Sequence, residues 1–269
     1  SGRPQGCDSS TDSEVVMGED AFNLDGKVAI VTGCDTGLGQ GMALGLAQAG
    51  CDIVAVNRKR PDETARKVEA LGRRFTVVQA DLSTLEPIER ILSHTLATFG
   101  KVDILVNNAG TIRREDAINF SEQDWDDVMN LNLKSLFFLS QAVARQFIAQ
   151  GGGGKIINIA SMLSWQGGIR VPSYTASKSG VLGLTRLLAN EWAPHNINVN
   201  AIAPGYMATD NTQALRDDPD RNQAITDRIP AGRWGTPDDL QGPVVFLASR
   251  ASNYVNGYTL AVDGGWLAR

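Results

Sequence analysis

Short runs of β-branched and other apolar residues alternate with amphipathic stretches along nearly the whole chain. That alternation restricts the possible fold more than any other feature. The runs are VAIVT at 28–32, DIVAVN at 52–57, FTVVQA at 75–80, DILVNNA at 103–109, KIINIA at 155–160, INVNAIA at 197–203 and YTLAVD at 258–263. Each is almost wholly apolar, as a strand covered on both faces must be. Segments 38–49, 62–71, 85–99, 121–149, 173–193 and 237–249 have helical length and period. Strand–helix alternation implies right-handed crossovers and a parallel sheet. The expectation is a single α/β domain over 24–269, with a doubly wound seven-stranded parallel sheet and helices on both faces. A chain of 269 residues is long for one domain and short for two, and 42% hydrophobic residues supply a core of that size.

Two segments fall outside the pattern. Residues 1–23 are polar, acidic and aperiodic and read as a disordered tail. Residues 206–236 are polar and poorly periodic and follow a strand, which is the place for a lid over a binding site. The tail has no apolar signal-peptide core, and no apolar run reaches membrane-spanning length. A net charge of −5 repels a phosphate backbone, so nucleic-acid binding is not expected. Three Cys point to a reduced compartment rather than a disulfide framework. With His94 and His195 the only histidines and far apart, no metal site is expected.

The first strand runs into Thr32-Gly33-Cys34-Asp35-Thr36-Gly37-Leu38-Gly39 and then a helix. Glycines there let the backbone approach a ligand, and the helix start aims N–H groups and a positive dipole end at it. A dinucleotide pyrophosphate is the fitting guest, with Gly33, Asp35, Thr36, Gly37, Leu38 and Gly39 around it. This is a Rossmann-type arrangement. An acid at the end of the second strand would take the adenosine 2′-hydroxyl, and an Arg nearby would hold a 2′-phosphate. Here Asn57 replaces the acid and Arg58-Lys59-Arg60 follows, so the reading leans to NADP over NAD. The same three cations also read as a solvated basic turn. Asp81 and Leu82, after the third strand, are candidates for the adenine. Asn108, Ala109 and Gly110, after the fourth, let the backbone run along the cofactor, while an Asn side chain there can brace neighbouring strands.

Tyr174 and Lys178 are four apart at a predicted helix start, one turn apart on one face. A phenol titrates near roughly 10, and an adjacent ammonium lowers that value. Tyr174 then becomes a proton carrier for an alcohol or ketone. Ser161, at the end of the fifth strand, can orient the same oxygen, and Asn132 can hold a water linking Lys178 to solvent.

Taken together, Thr32-Gly33-x-x-x-Gly37-x-Gly39, Asn107-Asn108-Ala109-Gly110, Asn132, Ser161, Tyr174-x-x-x-Lys178 and Pro204-Gly205 resemble the short-chain dehydrogenase/reductase family. The resemblance spans about 24–269. It implies catalytic roles for Asn132, Ser161, Tyr174 and Lys178, and cofactor contacts at Pro204, Gly205 and Thr209. It further implies a homotetramer, a cytoplasmic place and, within the family, a sugar-acid substrate. Such a substrate needs a cation and polar partners. Arg113, Arg114 and Arg170 are placed for its carboxylate and Gln166 for its hydroxyls, each Arg being also readable as a solvent-facing or intersubunit ion pair. Two other readings remain open on these residues: a 3-oxoacyl carrier-protein reductase, and a dinucleotide-binding sensor without turnover.

Overall fold

Each of the seven apolar runs forms a strand in the computed structural model, which describes residues 19–269. The strands are β1 (Val28–Thr32), β2 (Asp52–Asn57), β3 (Phe75–Gln79), β4 (Ile104–Asn107), β5 (Gly154–Ile159), β6 (Ile197–Pro204) and β7 (Thr259–Val262). They form one sheet in the order β3-β2-β1-β4-β5-β6-β7, and every neighbouring pair is parallel. The chain builds outward from β1 to β3, returns to β4 beside β1, and builds the other way. Loops leaving the carboxyl ends of β1 and β4 therefore diverge and open a crevice, the usual ligand site of such sheets.

Alternation within each strand explains the two layers. Ala29, Val31, Ile53 and Ala55 face α1 (Gly37–Ala49), α2 (Asp62–Ala70) and α9 (Gln241–Ala248), and pack with Met42, Leu46, Val68 and Val244. Val28, Ile30, Val54 and Leu105 face the opposite layer of α3 (Ile88–Phe99), α5 (Ser135–Gln150) and α6 (Pro172–Trp192), with Ile91, Leu139, Phe147 and Leu188. Burial of side chains of this size contributes about 1.5–3 kcal/mol each. The doubly covered sheet is thus the reason the strands read as unbroken apolar runs.

Three expectations change. The segment expected as one helix over 121–149 is α4 (Glu122–Met129), a π-helical turn (Asn130–Lys134) and then α5. In that turn the Ser135 N–H bonds to Asn130 O, five residues back. The segment 206–236, read only as polar and poorly periodic, holds two helices, α7 (Gln213–Asp217) and α8 (Pro219–Arg228). Asp218 caps α8 by accepting from Asp220 N at 3.1 Å and Arg221 N at 3.3 Å, with Pro219 in the first position. Few apolar residues in PDRNQAITDR leave no period to read. The base of the lid is closed by Gly235 N to Tyr206 O at 2.9 Å and Ala208 N to Gly235 O at 2.7 Å. Finally, Glu19–Phe22, inside the segment expected as a tail, form a 3-10 turn with Ala21 buried. Residues 1–18 of the expected tail lie outside the described residues. Among those described, no helix is long and apolar enough to cross a membrane.

Candidate active site

The turn after β1 is held open from below. Asn57 is buried, and its Oδ1 accepts from Cys34 N at 3.2 Å. Thr64 Oγ1 donates to Cys34 O at 2.6 Å. Gly33 takes φ +66°, and a Cβ on Gly39 would lie 2.0 Å from Gly33 O and 2.6 Å from Asn108 Nδ2. The side chain of Thr36 does not cap α1, so the amide groups at the helix start stay available to an anion. A glycine-only cradle, an uncapped helix and the mouth of the crevice together fit the pyrophosphate of NAD(P). Asn57 braces this cradle, a role that position alone did not reveal. Arg58 and Lys59 are exposed beside it, while Arg60 pairs with Asp62 at 3.3 Å. Asp81 is exposed, and its carboxyl is held below the ordinary range by Ser83, with the charge of Arg58 adding to this. The side chain of Leu82 lies in the core under the crevice.

Opposite, the strand-end asparagines brace the sheet. Asn108 Nδ2 donates to Gly33 O at 2.7 Å, and Thr32 Oγ1 accepts from Asn108 N and Ala109 N at 3.0 and 2.9 Å. Asn107 reaches Ser140 and Asn158 at 3.0 and 2.9 Å. Ser140 and Asn158 escaped the sequence reading, although Asn158, a polar residue inside an apolar run, was an available signal; the bracing role of Thr32 was not evident from its place at the head of the glycine motif. Pro204 ends β6. Gly205 N bonds to Val262 O at 2.9 Å, and a Cβ on Gly205 would meet Asp263 Cα at 2.7 Å. Thr209, at the start of the lid, lies against Gly37: its Cγ2 would be 3.7 Å from a Cβ there. One end of the lid is therefore set on the glycine turn.

The proton-transfer residues meet at the carboxyl ends of β4 and β5. Asn132, in the π turn and buried, accepts from Thr111 N at 2.8 Å and donates to Thr111 O at 2.9 Å and Ser177 Oγ at 3.3 Å. Ser177 Oγ in turn donates to Tyr174 O at 2.8 Å. The side chain of Asn132 thus ties the end of β4 to α6 and forms part of the wall of the site. Ser161 caps the short turn Met162–Ser164, its Oγ accepting from Leu163 N at 3.2 Å.

The electrostatics differ from expectation. Desolvation pushes the Tyr174 phenol above its ordinary value, and hydrogen bonding with Ser161 and the charge of Arg114 pull it back only in part. Lys178 was expected to lower it. Instead its Nζ lies over the Tyr174 ring, 5.6 Å from the centroid, and donates to Ile159 O at 2.8 Å. Burial brings Lys178 itself down to about 8. In this state Tyr174 is a proton donor at neutral pH, the form that carbonyl reduction requires.

The three arginines separate. Arg113 donates to Thr111 Oγ1 at 2.7 Å and Ile112 O at 3.0 Å, and lies 3.9 and 3.6 Å from the carboxylates of Asp124 and Asp127. Arg170, at φ +65°, pairs with Asp116 and lies 3.9 Å from Glu115. Both are committed to structural ion pairs. Arg114 is exposed and, among the described residues, makes no hydrogen bond or ion pair, while its charge is felt at Tyr174. Gln166 Oε1 accepts from Trp266 Nε1 at 3.3 Å. Trp234 packs edge-on against Tyr206 at 5.5 Å.

A glycine cradle at the switch point beside a Ser–Tyr–Lys set defines the class of protein: the chain belongs to the short-chain dehydrogenase/reductase family, NAD(P)-dependent oxidoreductases acting on CH–OH groups. A family model described as enoyl-(acyl carrier protein) reductase matches residues 33–267. The chain is 74% identical over 249 residues to a 2-dehydro-3-deoxy-D-gluconate 5-dehydrogenase of Escherichia coli (strain K12), covering 93% of this chain and 98% of that protein. It is 56% identical over 251 residues to the protein of that name from Bacillus subtilis (strain 168), with 93% and 98% covered. A crystal structure of a gluconate 5-dehydrogenase from Burkholderia cenocepacia J2315 in complex with NADP and tartrate superimposes with a TM-score of 0.87 at 40% identity, covering 93% of this chain and 98% of that one.

Proposed function

We propose that the protein interconverts a secondary alcohol and a ketone on a sugar acid of the 2-dehydro-3-deoxygluconate or gluconate type, with NADP preferred over NAD. The observation that carries the substrate class is the 74% identity to an enzyme named for such a substrate, and the exposed Arg114, whose charge acts on Tyr174 and which makes no ion pair among the described residues, supplies a cation for it. Arg114 holds the carboxylate as a charge-assisted fork. Gln166 serves a substrate hydroxyl. Ser161 and Tyr174 share the reacting oxygen. In oxidation that oxygen gives its proton to the Tyr174 phenolate as the carbonyl forms, and in reduction the phenol returns it. The nicotinamide, when bound, accepts or supplies the hydride. Lys178 fixes the site floor through Ile159 O and keeps positive charge near the phenol below about pH 8.

The NADP preference rests on the missing acid at Asn57 and on exposed Arg58 and Lys59, and NADP is the cofactor in the Burkholderia structure. Gly33, Asp35, Thr36, Gly37, Leu38, Gly39, Asn108, Ala109, Gly110, Pro204, Gly205 and Thr209 line the remaining cofactor crevice. The family resemblance extends the reading to a homotetramer in the cytoplasm.

Initial rates with 2-dehydro-3-deoxygluconate, gluconate and an acetoacetyl thioester, each with both nicotinamides in the matching redox state, test the assignment. The sugar acids should exceed the thioester in kcat/KM by at least about tenfold, one lost charge-assisted contact being worth that much. NADP(H) should exceed NAD(H). A preference for the thioester would reject the sugar-acid reading in favour of a carrier-protein reductase. Arg114→Gln should raise KM for the sugar acid about 10- to 100-fold and move the alkaline rise of oxidation to higher pH. Arg113→Gln and Arg170→Gln should change KM far less. Equal effects from all three would remove the special position of Arg114.

A further inference from the structure

The C-terminal segment is wedged between the lid and the substrate loop. Asp263 accepts from Gly265 N and Leu267 N, both at 2.9 Å, and turns the chain. Gly265, at φ +94°, lies so close to Pro230 that a Cβ would meet its ring at 2.9 Å. Ala231 N bonds to Gly264 O at 2.9 Å. The turn is thereby fixed to the returning end of the lid.

Trp266 follows and is 5% exposed. Its ring lies 3.9 Å from the Arg228 guanidinium at the end of α8, and 4.8 Å from the ring of Tyr206, where the lid begins. Its Nε1 donates to Gln166, between Ser161 and Tyr174. Arg269 adds hydrogen bonds to Asp227 O and Arg228 O at 3.3 and 3.4 Å, partners for carbonyls that a helix end leaves free. One side chain thus touches the start of the lid, the end of its helix and the segment that carries the substrate-side amide.

We propose that Trp266 is a positioning residue: its indole N–H orients Gln166 toward the substrate, and its ring locks α8 over the site by stacking under Arg228. This rests on the sugar-acid reading for the role of Gln166, but not for the lock on the lid. The two roles separate by chemistry. A phenyl ring keeps the stack and loses the donor, and alanine loses both.

Trp266→Phe should raise KM for the sugar acid about three- to tenfold, with kcat within twofold and wild-type resistance of the lid to thermolysin. Trp266→Ala should show the same rise in KM, with cleavage within 206–236 at least tenfold faster. If the alanine variant does not fold, Arg228→Gln carries the lid measurement and should also speed cleavage. Combined with Gln166→Met, Trp266→Phe should add nothing to KM, because the two act through one contact. Independent, multiplying effects would overturn the orienting role, as would an unchanged KM in Trp266→Phe. Unchanged protection in both Trp266→Ala and Arg228→Gln would overturn the lock. If the wild-type enzyme turned over no sugar acid, the substrate assignment would fail, while the proteolysis, which needs no substrate, would still decide the lock.

Discussion

Tyr174→Phe is expected to lower kcat about 10³-fold in both directions, with the fold intact and dinucleotide affinity within threefold of wild type. The magnitude is that of a lost general acid–base. The fold should survive because the contact that fixes this part of α6 is made by the backbone, Ser177 Oγ to Tyr174 O at 2.8 Å, and remains in the variant. The pH profile of the wild type carries the same information. Burial raises the phenol pKa, so the protonated form persists to higher pH than for a free tyrosine. Reduction uses that form and should fall as pH rises through the phenol pKa. Oxidation uses the phenolate and should climb over the same range. Steady-state rates against pH, with nucleotide binding followed by fluorescence, check both. Activity of the Phe variant within tenfold of wild type would remove Tyr174 from the chemistry.

Gly39→Ala should weaken dinucleotide binding by roughly 30-fold and lower the melting temperature. A methyl there would lie 2.0 Å from Gly33 O, far inside contact distance, with Asn108 Nδ2 at 2.6 Å. Neither neighbour can yield alone, since Asn108 Nδ2 is bonded to that same carbonyl. The cradle and the end of β4 would have to part, at the overpacking cost of about 1–3 kcal/mol. Gly183→Ala is the control, because a Cβ there meets nothing within 4 Å. Equal nucleotide affinity in the two variants would show that the close approach at Gly39 has no bearing on binding.

The sequence made the architecture legible because burial on both faces writes itself directly into β-branched runs, and all seven strands follow them closely. The glycine turn and the Tyr–Lys pair were legible because their spacing is local. What stayed hidden depends on neighbours distant in the chain. Asn57 reads as the replacement for a ribose-binding acid, and that its oxygen accepts from Cys34 N, 23 residues away, could not be read from its position. Arg113 and Arg170 could not be separated from Arg114 until carboxylates on α4 and the 115–116 loop were in place. The raised phenol followed from desolvation, which spacing cannot report. Helix α8 lacked an apolar stripe, and Trp266 lies 100 residues from the glutamine it holds.

The π turn at Asn130–Lys134 amounts to one surplus residue in an otherwise continuous rod. Each α-helical residue advances the helix by about 100°, so removing one residue would close the rod into an ordinary helix and swing everything on one side of it by that angle. The face of α5 that packs the sheet and the asparagine that grips Thr111 could not then both keep their directions. The irregularity lets one length of backbone satisfy two incompatible phases, and a deletion there would erase the site wall while leaving helix content nearly the same.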